Sequence, residues 1–167
     1  MDNSIYDEDI LVWSEQQASV IRGLRSRRDL PNELDLEHVA EEIEDVGRSE
    51  LNAAQGLIRQ ILIHVIKAVS VPSVDLTMHW GKEAMGFHDD LLDRVTPSMM
   101  NRIDISALWQ RARKRADREL REHGQTVALH LAKECPLEVK DIIDQEFDFA
   151  KAVAKVLTHS RSIGDRD

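Results

Sequence analysis

Apolar residues recur along this chain at intervals of three and four, the period of an α-helix, and never in the strict alternation of a half-buried strand. The first periodic segment takes Asp7 as its N-cap, with Glu8 and Asp9 in the turn where the positive end of the helix dipole favours them. Ile10, Trp13, Gln17, Val20, Ile21 and Leu24 follow on one stripe. The stretch "SRRDLPNEL" then reads as a connection, because of its Pro, Asn and charge.

A second helix starts behind Asp35, with Leu34 and Val39 spaced as a hydrophobic staple, and has no proline before Pro72. Unbroken to Ser70, it would be a rod of roughly 50 Å. Gly47 and Gly56 lie inside it at about 1 kcal/mol each relative to Ala, which predicts a bend or a close helix contact. A third helix is predicted over about 77–95, with Trp80, Ala84, Phe87, Leu91 and Val95 on one side, and "TPS" restarts the chain after it. Asp104 or Ser106 caps a fourth, with Ile105, Trp109, Ala112, Ala116 and Leu120 facing inward and Gly124 closing it. A short helix over about 136–145 and a last one, "DFAKAVAKVLTHS", precede a polar tail expected to be loose. These elements predict an all-α fold: a single-domain bundle of four main helices plus short C-terminal helices over 1–167, with 148–167 as a helical extension and tail.

The stretch "EHVAEEIEDVGRSE" poses the main chemical question, because so many carboxylates beside a histidine resemble either a ligand cluster or the wet side of a helix. On a wheel of about 100° per residue centred on Ile43, the residues Leu36, Val39, Ala40, Val46, Gly47, Ala54, Leu57, Ile58, Ile61 and Val65 fall within roughly 60°. His38, Glu41 and Asp45 point the other way. Glu50 lands on the apolar arc, so it is expected to turn inward and to need a cation, a metal or a proton. His64 lies at the margin of the same arc. Glu50 and His64 are therefore the candidate catalytic residues, and Glu42 with the i, i+4 pair His79 and Glu83 the candidate metal ligands.

Composition narrows the function classes. Residues 29–50 carry nine acidic side chains against Arg48, whereas "RARKRADREL" carries Arg111, Lys114, Arg115, Arg118 and, one residue on, Arg121 on one helical side. One acidic and one basic face result, and the basic stripe is a candidate contact for a partner or a phosphate. With a net charge of −9 and no aromatic interleaved on that stripe, nucleic acid is the disfavoured ligand, entering only as docking on the basic helix. The longest apolar run is broken by Arg59, Gln60, His64 and Lys67, so no membrane helix is expected. The acidic start lacks the features of a secretory signal, and one cysteine, Cys135, forms no internal disulfide; the expectation is a cytoplasmic protein. Cys135, close to a helix start, is read as a buried structural thiol, with a lowered pKa as the alternative.

The blocks "YDEDILVWSEQQA", "LDLEHVAEEIEDVGRSE", "LIRQILIHVIKA" and "ECPLEVKDIIDQEF" resemble, in order, the bacterial family called domain of unknown function 29, over about Tyr6 to Phe147. Glu41, Glu42, Ile43, Gly47 and Glu50, then His64 and Lys67, and also Trp80 and Glu119, sit at positions of the family pattern. The chain departs from that pattern where Asp75 and "HW" replace an Arg ahead of Ser-Trp, and where "LA" replaces Phe-Pro ahead of Cys-Pro. The resemblance implies a compact, soluble, bacterial helical bundle with no established activity.

The expectation is thus a protein-interaction or self-associating module, a candidate homo-oligomer, leaning away from an enzyme and needing no cofactor. The alternative is a hydrolase of a phosphate-containing small molecule, assisted by a divalent metal.

Overall fold

The computed structural model describes residues 4–164, and every regular element among them is helical. The α-helices are α1 (Ser4–Glu8), α2 (Ile10–Gly23), α3 (Leu36–Ser70), α4 (Val74–Leu92), α5 (Pro97–Met100), α6 (Ile105–Arg121), α7 (Val139–Ile142) and α8 (Phe149–Gly164), and a 3₁₀ turn, Leu24–Ser26, follows α2. They pack as two compact units. One holds the chain up to Ala54 together with Arg94–Arg102, and the other holds Gln55–Asp93 together with the chain from Ile103 onward. Helix α3 is continuous through Gly47 and Gly56, and so supplies its first half to one unit and its second half to the other.

In the first unit the cap falls two residues later than predicted. Asp9, not Asp7, opens α2, its side chain accepting from the Val12 amide, and the chain before it makes the separate turn α1. The same carboxylate accepts from Thr96 Oγ1 at 3.1 Å, the Ser98 amide at 3.1 Å and Ser98 Oγ at 2.7 Å, which ties the start of α2 to α5. Burial raises the Asp9 carboxyl, but these donors outweigh it and hold the group below its ordinary pKa.

The inward face of α2 also differs from the predicted stripe. Leu11, Ser14 and Ala18 are buried, while Val20 is 59% exposed. The reason is Gly47: without a side chain there, α3 accepts Ser14 and the Leu11 backbone at close range, so the contact runs through small residues. Bulky Trp13 is left half-buried, edge-on to Tyr6.

The core of the second unit is the part of α3 read most directly from the sequence. Ile58, Ile61, Leu62, Val65 and Ile66 are fully buried there, with Trp109, Ala112 and Ala116 of α6 and Ala84 and Leu91 of α4. Helix α4 begins at Val74, earlier than expected, because the Ser73 hydroxyl caps it by accepting from the Leu76 amide. Its buried face includes His88 rather than Phe87; His88 Nε2 meets the Asp144 carbonyl at 3.0 Å and the ring stacks on Phe147.

Between α6 and α7 the chain is irregular and is fixed by side chains of three helices. The Ala128 amide donates to Ser70 Oγ, the Ala132 amide to Ser160 Oγ, and the Ala132 carbonyl accepts from Trp109 Nε1 at 3.1 Å. Backbone groups that no helix ladder could serve are satisfied in this way. The predicted helix over 136–145 contracts to α7, opened by a Glu138–Asp141 capping box, and Lys155 of α8 reaches Asp141 at 2.8 Å. Helix α8 itself continues to Gly164, into the segment expected to be loose; the rest of that tail lies outside the described residues.

Candidate functional site

The polar residues singled out in the sequence fall into three places. The first is the N-terminal half of α3. Its acidic cluster is largely wet: His38, Glu41, Glu42 and Asp45 are exposed, while Arg22 of α2 grips Glu44 through its two terminal guanidinium nitrogens and Glu37 through Nε. Those two carboxylates hold the Arg22 guanidinium well above its ordinary pKa. Glu50 is not buried as expected. Its side chain keeps 37% of its surface, and Arg94 Nη1 donates to it at 3.0 Å. The physical reason is that α2 packs on α3 at Gly47, on the small-residue flank where Ala40 and Ala54 are also buried, while the flank that carries Glu50 is left less covered.

That uncovered flank is apolar. Leu36, Val39, Ile43, Val46, Glu50 and Ala53 follow one another at spacings of three, four, three, four and three, and none of them is buried. Val39 and Val46 keep 39% and 45% of their surface. The predicted staple partner Leu34 is likewise 43% exposed. Glu42 lies on the rim and makes no ion pair among the described residues.

The second place is a polar cluster inside the second unit, assembled by α3, α4 and α6. His64 is buried, stacks on Phe87, and faces the Glu83 carboxylate at 3.6 Å through Nε2, while its Nδ1 has no hydrogen-bond partner among the described residues. Burial, and then the Lys67 charge, push His64 below its ordinary pKa against the pull of Glu83 and Glu119. His79 on the surface faces the other Glu83 oxygen, also at 3.6 Å, too long for a hydrogen bond. Below them Lys67, its ammonium 5.9 Å from the Trp80 ring centroid, pairs with Glu119, which also binds Arg115. Burial raises the Glu119 carboxyl, but the hydrogen bonds from Lys67 and Arg115 prevail and hold it below the carboxylate norm.

As candidates for a metal shell, His79 and Glu83 do come together, beside His64. Glu42 belongs to the first unit, and among the described residues no three His, Cys, Asp or Glu side chains gather so as to hold an ion. The Lys67–Glu119 pair was invisible to helical spacing, because its partners lie on helices far apart in sequence.

The third place is the basic side of α6. Arg111, Lys114, Arg115 and Arg118 line a concavity of about 410 Å³ with Arg59, Gln60 and Ile63 of α3, whereas Arg121 is held by Asp117 at 2.8 Å. Cys135, the remaining reactive group, is no activated thiol: burial pushes it up to about 11.

The chain matches the family described as Domain of unknown function DUF29 over residues 5–148. It belongs to that family. The DUF29 match takes in all of the sites above, and the segment beyond it is mainly α8. A solved structure from Rhodospirillum rubrum, described as an alpha-helical protein of unknown function, is 45% identical and superposes with a TM-score of 0.85, covering 90% of this chain and 96% of that one. No curated protein matches the chain. The fold of this chain is all-α, as the periodicity predicts. No helix among the described residues is long and apolar enough to cross a membrane.

Proposed function

We propose that this chain is a docking module that receives an amphipathic helix of a protein partner along the uncovered flank of α3. The observation that carries the reading is the heptad-like run Leu36, Val39, Ile43, Val46, which sits on a well-formed helix and yet leaves Val39 and Val46 exposed and Leu36 and Ile43 only half-buried. An apolar seam with spacing of three and four is what one helix offers another. Burying the exposed parts of Val39 and Val46 contributes roughly 1 kcal/mol each, and Leu36 and Ile43 add to this.

Charge selects the partner. The open rim carries Glu42 without an ion pair, Glu50 interrupts the seam while sharing Arg94, and Glu41 and Asp45 lie beyond. A helix that pairs here needs Lys or Arg flanking its apolar stripe. A second copy paired seam to seam would set these carboxylates against themselves, so the favoured occupant is a different, basic chain.

A photo-reactive amino acid at position 46 of the full-length protein tests the reading, with position 41 on the outer face as control. Crosslinks from position 46 to a segment with an apolar stripe and basic flanks, weaker from position 41, are the expected result. Crosslinks from position 46 only to this same chain, or equal labelling from both positions, would overturn it.

A further inference from the structure

The basic side of α6 carries a second inference, independent of the seam. Five cationic side chains, Arg59 from α3 and Arg111, Lys114, Arg115 and Arg118 from α6, line one concavity of about 410 Å³ together with Gln60 and Ile63. Among the described residues only Arg115 is neutralised there, by Glu119, which is itself held by Lys67. Arg59, Arg111, Lys114 and Arg118 form no ion pair among the described residues, although the protein as a whole carries a charge of −9. Four uncompensated cations in one hollow repel one another, and nothing in the folding of α6 requires them to be gathered there.

We propose that this concavity is a binding site for an oligophosphate anion: a linear chain of two or three phosphoryl groups, free or as the terminal part of a small molecule. The volume lies at the small end of the range for small-ligand sites. Planar guanidinium forks match phosphate oxygens two at a time, and Lys114 adds a point charge. Several negative charges are needed to balance the set, which favours a phosphate chain over a single carboxylate. The lining includes no aromatic ring, so the phosphates are recognised and a base is not. Arg59 and Gln60 distinguish the site from a mere stripe on α6, because they come from another helix and close one wall. Arg121 lies outside, held by Asp117.

Calorimetric titration of the full-length protein with inorganic tripolyphosphate at low salt tests the site. The expected result is saturation at one anion per chain, with affinity falling roughly tenfold in Arg59→Gln and again in Arg118→Gln, and little changed in Arg121→Gln. Circular dichroism of each variant checks that the helices persist. Added salt should weaken the binding, since these charges are open to solvent. A pyrophosphate arm and a nucleoside triphosphate arm of similar affinity would support recognition of the phosphate chain alone. Absence of heat with all three anions would overturn the proposal, as would an Arg121→Gln loss equal to that of Arg59→Gln. Tighter binding of several chains along one single-stranded oligonucleotide would also contradict it, because the basic face would then track a polymer.

Discussion

Gly47 of α3 lies directly against Ser14 of α2: a Cβ added at Gly47 would overlap Ser14 Oγ and stand 3.0 Å from the Leu11 Cα. Ser14 cannot swing away freely, because it is buried and donates to the Leu11 carbonyl at 2.9 Å. The two helices meet because this position lacks a side chain.

Gly47→Ala should therefore destabilise the protein by about 1–3 kcal/mol, overpacking outweighing the gain in helix propensity. Gly56, in the same helix, has no described residue within 4 Å of its Cβ position, so Gly56→Ala should add up to about 1 kcal/mol. Urea unfolding of both variants checks the pair, and equal signs would refute the close contact.

His64 makes stability depend on pH. Its folded-state pKa lies below the unfolded value of about 6.5, so the unfolded chain takes up the proton first. The stability that depends on neutral His64 is complete above about pH 6.5 and is lost as the pH falls from there through the folded value, at about 1.4 kcal/mol for each unit of depression. The facing charges are Lys67 on α3, Glu83 and His79 on α4 and Glu119 on α6, and the two carboxylates limit the depression. His64→Gln should flatten the unfolding profile between about pH 7.5 and pH 5 relative to wild type. Parallel profiles for the two proteins would contradict this.

Glu50 shares only a partly exposed ion pair with Arg94, so Glu50→Gln should change stability by less than about 1 kcal/mol. Chemical denaturation measures it. A loss above about 3 kcal/mol would instead indicate a buried charge pair.

Much of the fold was legible in the chain because hydrophobic period is a local property. Ile58, Ile61 and Val65 fall inward where the wheel places them, and Asp104 caps α6 through the Ala107 amide. What escaped depends on partners distant in sequence. Asp9 is chosen over Asp7 because Thr96 and Ser98 share it; Leu11 and Ser14 are chosen over Trp13 and Val20 because Gly47 waits opposite. Glu50 turned inward on the wheel but not in the fold, since periodicity gives the centre of an apolar arc and not which of its flanks a neighbour covers. The same limit hid the most informative feature. Val39 and Val46 read as core, and only packing leaves them open. His88 and the Lys67–Glu119 pair needed α4 and α6 in place before they could be seen.

The open seam is tested most directly by titrating the full-length protein with two synthetic helical peptides of identical apolar face, one flanked by Lys and one by Glu, and by repeating both titrations on Val39→Ser/Val46→Ser. The account predicts saturable binding of the Lys-flanked peptide, at least about tenfold weaker binding of its Glu-flanked twin, and loss of binding in the double variant at unchanged thermal stability. Equal affinity for both peptides, or a double variant that binds as wild type does, would contradict it.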